Sequence, residues 1–355
     1  MNIRVLFISL VLLLSSFASA LTIKSNAPTT YTVVKGDTLW DISGMYLNEP
    51  WRWGEIWKSN PQIKNPHLIY PGDVISFQNG RLSITRSKGG MRHVKLSPEM
   101  KEVPIDLGIP VVSYNKIKSS LLHIKVITDA EVKALPYVIA SENNRLIALQ
   151  NQRVYINKPL KTGVTYDVYE RGETHKAVRG AQNRKGKDRT VELGTEIIKV
   201  GEVVIERIDP SGETSTGIVK SLNRRGINPG NWLIEKPAAG VDFFFEPKPA
   251  PHGVAAEIIN LPNAFQNASK RYTVLLDRGM DAGLERGHTL LIQSNEKYVN
   301  DPHTGEKVKL PSEALGTIMI YEVFDQTSLG LVMDAKDRIK LGNMAVTPFS
   351  GKYAK

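Results

Sequence analysis

The chain contains no cysteine, and that absence excludes disulfide frameworks, thiolate metal sites and cysteine nucleophiles together. Histidine is nearly as uninformative for catalysis. The seven histidines, at positions 67, 93, 123, 175, 252, 288 and 303, form neither His-x-His nor His-Glu-x-x-His, the spacings that set two imidazoles on one metal ion. No Gly-x-Ser-x-Gly is present either, so the serine elbow of the α/β-hydrolases is missing. Long apolar runs are also lacking beyond the first twenty residues. What the chain has is length, 355 residues with a net charge of +10, enough for two or three domains at roughly 100–200 residues each. The positive balance asks for an acidic partner, and the location of the charge decides which.

Arg4 is the only charge before an apolar run over residues 5–14, which leads into Ser15, Ser16 and Ala18-Ser19-Ala20. A positive start, a short apolar stretch and a small-x-small site make residues 1–20 a secretory signal peptide. The run is about half of the roughly 20 residues that a bilayer span requires. The expected mature chain begins near Leu21, lies in the periplasm and has no transmembrane segment.

Tyr31-Thr32-Val33-Val34 is a short β-rich run ending at the turn Lys35-Gly36-Asp37, and Thr38-Leu39-Trp40-Asp41 has the spacing that opens a helix. Leu39, Ile42 and Tyr46 then share one helical face. A second helix is expected from Pro50 to Asn60-Pro61, with Trp53, Ile56 and Trp57 on its inner face. After Tyr70-Pro71-Gly72-Asp73 the run Val74-Ile75-Ser76-Phe77 is another strand. The order over residues 31–77 is β-α-α-β.

Tyr31-Thr32-Val33, Gly36-Asp37-Thr38-Leu39-Trp40-Asp41-Ile42, Asn60-Pro61 and Ile69-Tyr70-Pro71-Gly72-Asp73 stand in one order and spacing that resembles the LysM modules. That resemblance implies a shallow groove for N-acetylglucosamine-containing glycans such as peptidoglycan. Carried over by position, Gly36, Asp37, Thr38 and Leu39 line one side, and Pro61, Leu68, Ile69 and Tyr70 the other. Backbone groups at the glycine turn would pair with the N-acetyl amide while flat apolar surface receives the methyl group and sugar face. Trp53 and Trp57 are expected in the module's core, whereas Trp40 and Trp51 are open to either core or sugar stacking. His67 is read as a solvated loop residue.

Residues 78–98 carry five cations and no acid around Gly89-Gly90, the composition of an exposed linker. Residues 99–150 read as a mixed α/β joint. Its helices are expected at 117–122 and 128–135, and its strands at 136–140 and 145–149, joined by the polar turn Ser141-Glu142-Asn143-Asn144. A further strand is expected at 153–156.

The C-terminal half matches itself. Val200-Gly201-Glu202-Val203-Val204-Ile205, Gly217-Ile218-Val219 and Ile227-Asn228-Pro229-Gly230-Asn231 parallel Leu315-Gly316-Thr317-Ile318-Met319-Ile320, Gly330-Leu331-Val332 and Ile339-Lys340-Leu341-Gly342-Asn343. Such a match points to an internal repeat. Two related small antiparallel barrels or sandwiches are expected, over 151–236 and 254–350, joined by a Pro/Gly-rich link at 237–253 that carries Phe243-Phe244-Phe245. The fold class is therefore α+β and multidomain, a βααβ module followed by a mainly β region.

Each copy has a polar insertion, 171–190 and 294–311. The first has seven cations against two acids and no aromatic residue, whereas a nucleic-acid site interleaves stacking residues with its cations. It reads as a flexible hairpin loop, and Asp301-Pro302-His303-Thr304-Gly305 in the second as a turn, not a metal site. Together the 78–98 and 171–190 segments hold the whole positive excess, while the glycan-binding module itself is slightly acidic. These residues point to a non-catalytic periplasmic peptidoglycan-binding protein that needs no cofactor and displays a β-rich region to an envelope protein partner. The alternative is a peptidoglycan hydrolase with a carboxylate-based site in the C-terminal half.

Overall fold

Short runs of valine, isoleucine and leucine broken by glycine and asparagine build strands through most of this chain. The computed structural model describes residues 23–54, 69–78, 81–85, 112, 117, 120–178, 190–237 and 246–348. Two units result, one of residues 1–113 with 348–355 and one of residues 114–347. No described helix is long and apolar enough to cross a membrane.

In the first unit β1 (Thr30–Thr32) pairs antiparallel with β2 (Val74–Gln78), Tyr31 opposite Ile75. Helix α1 (Leu39–Tyr46) lies between them in sequence, followed by a 3-10 turn at Pro50–Arg52. The rest of the expected second helix, from residue 55, lies outside the described residues. A third strand, β3 (Arg81–Thr85), pairs antiparallel with β2. The sheet thus has three strands, and residues 81–85 belong to it and not to a linker. Phe77 opposite Leu82 and Ile75 opposite Ile84 show why: the apolar alternation of β2 continues across the turn. Residues 86–98 and Phe243-Phe244-Phe245 lie outside the described residues.

The second unit holds two closed sheets. In the first, β5 (Val138–Ser141), β6 (Arg153–Ile156), β7 (Thr165–Val178), β8 (Thr190–Ile208), β9 (Ser215–Leu222) and β10 (Trp232–Glu235) run in the order β10-β7-β8-β9-β6-β5. Bonds from the Val138 amide to the Asn231 carbonyl (2.9 Å) and from Gly230 to Val138 (2.7 Å) close β5 onto β10. In the second, β12 (Ala255–Asn260), β13 (Thr273–Leu276), β14 (His288–Gln293), β17 (Ala314–Val323), β18 (Ser328–Ala335) and β19 (Met344–Val346) are ordered β14-β17-β18-β13-β12-β19, and β19 returns to β14. Both are six-stranded antiparallel barrels with one strand order. A two-residue strand, β11 (Lys248–Pro249), adds parallel to β14.

Matching positions do matching work. Asn231 Oδ1 accepts the Asn228 amide at 2.8 Å, and Asn343 Oδ1 accepts the Lys340 amide at 2.8 Å. Asn157 Oδ1 accepts the Tyr137 amide at 2.8 Å, and Asp277 Oδ1 accepts the Glu257 amide at 2.7 Å. A Cβ on Gly201 would strike the Ser221 carbonyl oxygen, and one on Gly316 the Asp334 carbonyl oxygen. In both barrels the strand crossing is too close for a side chain.

Each barrel is filled by its inward row. Val203 and Ile205 on β8 are buried with Ile156, Val168, Val219, Ile227 and Leu233; Ile258, Leu276, Leu290, Ile318, Val332 and Ile339 fill the other. Each such side chain contributes roughly 1.5–3 kcal/mol when fully buried. The first barrel begins at β5, upstream of residue 151, since Val138 is needed to complete this packing.

Several expectations in the joint change. Helix α2 (Asp129–Ala134) has the foreseen cap: Glu131 donates its amide to Thr128 Oγ1 at 3.3 Å, and its carboxylate accepts the Thr128 amide at 2.7 Å. Of the helix expected at 117–122, residues 118 and 119 lie outside the described residues. No strand forms at 145–149; only Ala148 bridges to Ile227, because Asn143 and Asn144 take φ of 58° and 54° and turn the chain aside. Residues 171–178 and 190–197 are not loop but a β ribbon extending β7 and β8, with 179–189 outside the described residues. The counterpart insertion forms the hairpin β15 (Lys297–Asn300) and β16 (Lys307–Leu310).

Segment 120–127 is bonded to both barrels. Strand β4 (Ile124–Ile127) pairs with β8. Just before it, the Ser120 carbonyl accepts from Thr273 Oγ1 at 3.0 Å and the Leu122 carbonyl from the Tyr321 hydroxyl at 3.5 Å. Burial pushes the Tyr321 hydroxyl up to about 12.

Candidate functional site

The loop after β1 is a tight turn that only certain residues permit. Gly36 has φ of +97°, a conformation in which a Cβ is strained. The Asp37 amide donates to the Val34 carbonyl at 3.1 Å, and Asp37 Oδ2 accepts from the Val34 amide at 2.8 Å and the Tyr31 hydroxyl at 2.9 Å. One carboxylate oxygen thus ties the strand to its turn. Burial, then the bonded Asp37 carboxylate, raises the Tyr31 hydroxyl above its ordinary value. Thr38 follows as the N-cap of α1: its Oγ1 accepts the Asp41 amide at 3.0 Å and donates to Asp41 Oδ2 at 2.8 Å. Such a cap contributes about 1 kcal/mol.

The loop before β2 is built the same way. Asp73 Oδ2 accepts the Tyr70 amide at 3.0 Å while the Asp73 amide returns to the Tyr70 carbonyl at 3.0 Å, with Gly72 at φ of +99°. Val33 then joins the two loops. Its amide donates to the Asp73 carbonyl at 2.9 Å, and its carbonyl accepts from Gly72 at 2.7 Å. The two flanks of the expected groove are therefore held side by side by backbone.

Of the eight groove residues read from sequence, Gly36 is exposed and Asp37 and Tyr70 are half-buried. Thr38, Leu39 and Ile69 are buried, Leu39 completely, so their side chains support the two turns from beneath. Pro61 and Leu68 lie outside the described residues, as do His67 and Trp57. Val34, 54% exposed, stands in the same turn and was not among the eight. The strand alternation that buries Val33 turns Val34 outward, and this was the available signal. Trp40, Trp51 and Trp53 are all buried. Trp40 and Trp51 therefore belong to the core and offer no stacking face, and Tyr46 packs a tilted ring on Phe77 with centroids 6.4 Å apart.

In the second unit, no cluster of His, Asp and Glu suited to a metal occurs among the described residues. The Ser-x-x-Lys spacing occurs at Ser113, outside the described residues, and at Ser294. Ser294 opens an extended ribbon and accepts the Glu313 amide at 2.9 Å, so the helical turn that would bring Lys297 to its hydroxyl is absent. His175 and Glu196 approach to 3.5 Å beside a cleft between the barrels, and Asn260 Nδ2 donates to Glu196 at 3.1 Å. That arrangement joins barrels.

An uncharacterized protein of Bacillus subtilis (strain 168), YqbP, is 44% identical over 60 residues, 14% of this chain and 27% of that protein. The chain therefore spans about a quarter of that relative's length. The LysM domain family matches at residues 31–77, the stretch whose two loops Val33 clamps together, and residues 31–77 are a LysM domain.

Proposed function

We propose that this protein is a non-catalytic, periplasmic peptidoglycan-binding protein, secreted by residues 1–20 and held at the wall by residues 31–77. LysM domains bind N-acetylglucosamine-containing glycans, and the LysM match at residues 31–77 carries the reading. Gly36, Asp37, Thr38 and Leu39 with Ile69 and Tyr70 form the glycan groove, together with Pro61 and Leu68. The turn backbone pairs with the N-acetyl amide and Tyr70 supplies the flat surface. Recognition of a neutral sugar needs no titrating group, in keeping with a carboxylate at Asp37 already engaged by two donors. The two barrels arose by duplication and display a β-rich region to an envelope protein partner. Their shared strand order and the matched asparagine and glycine positions support this reading.

The test is co-sedimentation of the mature chain with purified sacculi, beside a chain lacking residues 31–77. The full chain should pellet and the truncated one remain in solution. Equal sedimentation would overturn the assignment of binding to the module, and muropeptide release by either chain would overturn the non-catalytic reading.

A further inference from the structure

The two most exposed large apolar residues described are Phe265, at 98%, and Leu146, at 85%. They occupy the same connection in the two barrels, β5 to β6 and β12 to β13. Neither is a stray surface residue on a loose tail. The first loop is fixed: the Ser141 hydroxyl donates to the Arg145 carbonyl, Gln152 Oε1 accepts the Leu149 amide at 2.9 Å, and Ala148 exchanges backbone bonds with Ile227 at 2.8 and 3.0 Å. Asn143 and Asn144, both at positive φ, are strained for residues with a Cβ. The chain accepts that strain and thereby holds Leu146, Ile147 and Leu149 in solvent, the latter two at 43% and 49% exposure. In the second barrel, Ala268 makes the same exchange with Ile339 at 2.8 and 3.3 Å. Leu341, two residues beyond Ile339, is 55% exposed.

Cations surround both tips. Exposed Arg145 and Arg225 stand by the first, where the backbone of Gly226 lies against Ile147. Lys220 is brought near by its carbonyl, which accepts from Gln150 Nε2 at 3.1 Å. Lys270, Arg271 and Lys340, all exposed, flank the second. At the first tip the nearby carboxylates face cations, Glu142 facing Arg153 at 3.7 Å and Glu170 pairing with Arg224 at 2.8 Å, whereas at the second Glu257 lies beside Gly342. One cleft of about 520 Å³ is lined by Asn223 and Arg224, next to Arg225 at the first tip, and by Pro262 and Ala264, next to Phe265 at the second.

Protruding apolar side chains set among cations suit a fluid anionic surface. A shaped protein partner would instead be met by a groove or a flat apolar face. Side chains of this kind enter the boundary between headgroup and acyl chain, while Lys and Arg gain about 1 kcal/mol each near anionic headgroups. We propose that the loops carrying Leu146 and Phe265 form a two-point docking surface for an anionic lipid bilayer, independent of the glycan module.

The test uses the mature chain with vesicles of phosphatidylcholine alone and of phosphatidylcholine mixed with phosphatidylglycerol. Co-sedimentation with the anionic vesicles only, weakened by added salt, is expected. Leu146→Ser with Phe265→Ser should lower that partition about tenfold or more, with thermal unfolding and sacculus binding unchanged because both side chains lie in water. Since the chain has no cysteine, Phe265→Cys offers a single thiol for an environment-sensitive dye, whose emission should shift to the blue on anionic vesicles. Absence of vesicle binding, or binding unchanged by the double substitution, would refute the proposal. So would a dimer of the parent chain that the double substitution dissolves, since the tips would then bind a second copy.

Discussion

Replacing Asp37 by alanine removes a carboxylate oxygen that takes two bonds tying the turn after β1 to the strand. Both bonds, at 2.8 Å from the Val34 amide and 2.9 Å from the Tyr31 hydroxyl, end on a charged acceptor in a half-exposed setting. Each contributes about 1 kcal/mol there, so the ordered turn loses roughly 2 kcal/mol. A ligand that recognises only the ordered turn has its apparent affinity reduced by the fraction still ordered. The ceiling on the loss is therefore about 30-fold, and about fivefold for Tyr31→Phe, which removes one bond. Adding Tyr31→Phe to Asp37→Ala should cost nothing more, because the hydroxyl acts through that carboxylate. Sacculus binding isotherms of the mature chain measure all three, with thermal melts as the control for folding. Unchanged binding by Asp37→Ala, or additive losses in the double variant, would refute the coupling of turn order to recognition. The raised Tyr31 value adds a direction in pH. Its contribution is complete below the ordinary tyrosine value of 10.0 and is lost as pH rises through the raised folded value, and Tyr31→Phe should abolish that alkaline loss.

Other outcomes follow from the barrels and the module core. Glu202 is opposed by burial but receives Lys199 at 2.8 Å and Lys236 at 2.6 Å, which hold it down to about 2 from 4.5. Its stabilisation is present above pH 4.5 and lost as pH falls toward 2. After solvent screening, Glu202→Gln should reduce stability by about 1–2 kcal/mol at neutral pH and by nothing at the acid end, read by urea unfolding across pH. Burial first, and then Lys248, lower the His288 imidazole, whose Nδ1 accepts the Glu285 amide at 2.9 Å. Stability should therefore fall as pH drops below the ordinary 6.5, and His288→Gln should flatten that slope. Gly316→Ala should cost about 1–3 kcal/mol or more through its collision with the Asp334 carbonyl. Gly305→Ala, at φ of +73° in open space, should cost only about 1 kcal/mol, and comparative melts decide. Trp40→Ala should unfold the module, losing about 3–5 kcal/mol by the same measurement.

The sequence was most legible where one backbone requirement admits few residues. Gly36, Thr38 and Gly72 marked the two turns and the helix cap, and Thr128 with Glu131 marked the second cap. The glycines at 201, 217, 316 and 330 aligned the barrels because a close strand crossing leaves no room for a Cβ. Less legible were features set by distant partners. Val138 reads as part of a joint until the Asn231 backbone that closes the barrel on it is in place. Residues 145–149 have strand composition, yet two asparagines at positive φ turn that composition outward. The ribbon at 171–178 opens an insertion with seven cations against two acids, and only its pairing with 190–197 makes it strand. In the candidate site the turn positions were readable, whereas the burial of Leu39, Ile69 and the tryptophans depends on how the small core closes.

Both barrels carry their extra length at the same connection, between β7 and β8 in one and between β14 and β17 in the other. Closed sheets leave few places where chain can be added without opening a hydrogen-bonded row, and this connection accepts either a lengthened ribbon or a separate hairpin. It is accordingly a grafting port. The turn at Asp301, whose Oδ1 takes the amides of His303 and Thr304 at 2.8 and 3.1 Å, offers a site where an epitope or fluorescent reporter can be spliced without opening either barrel.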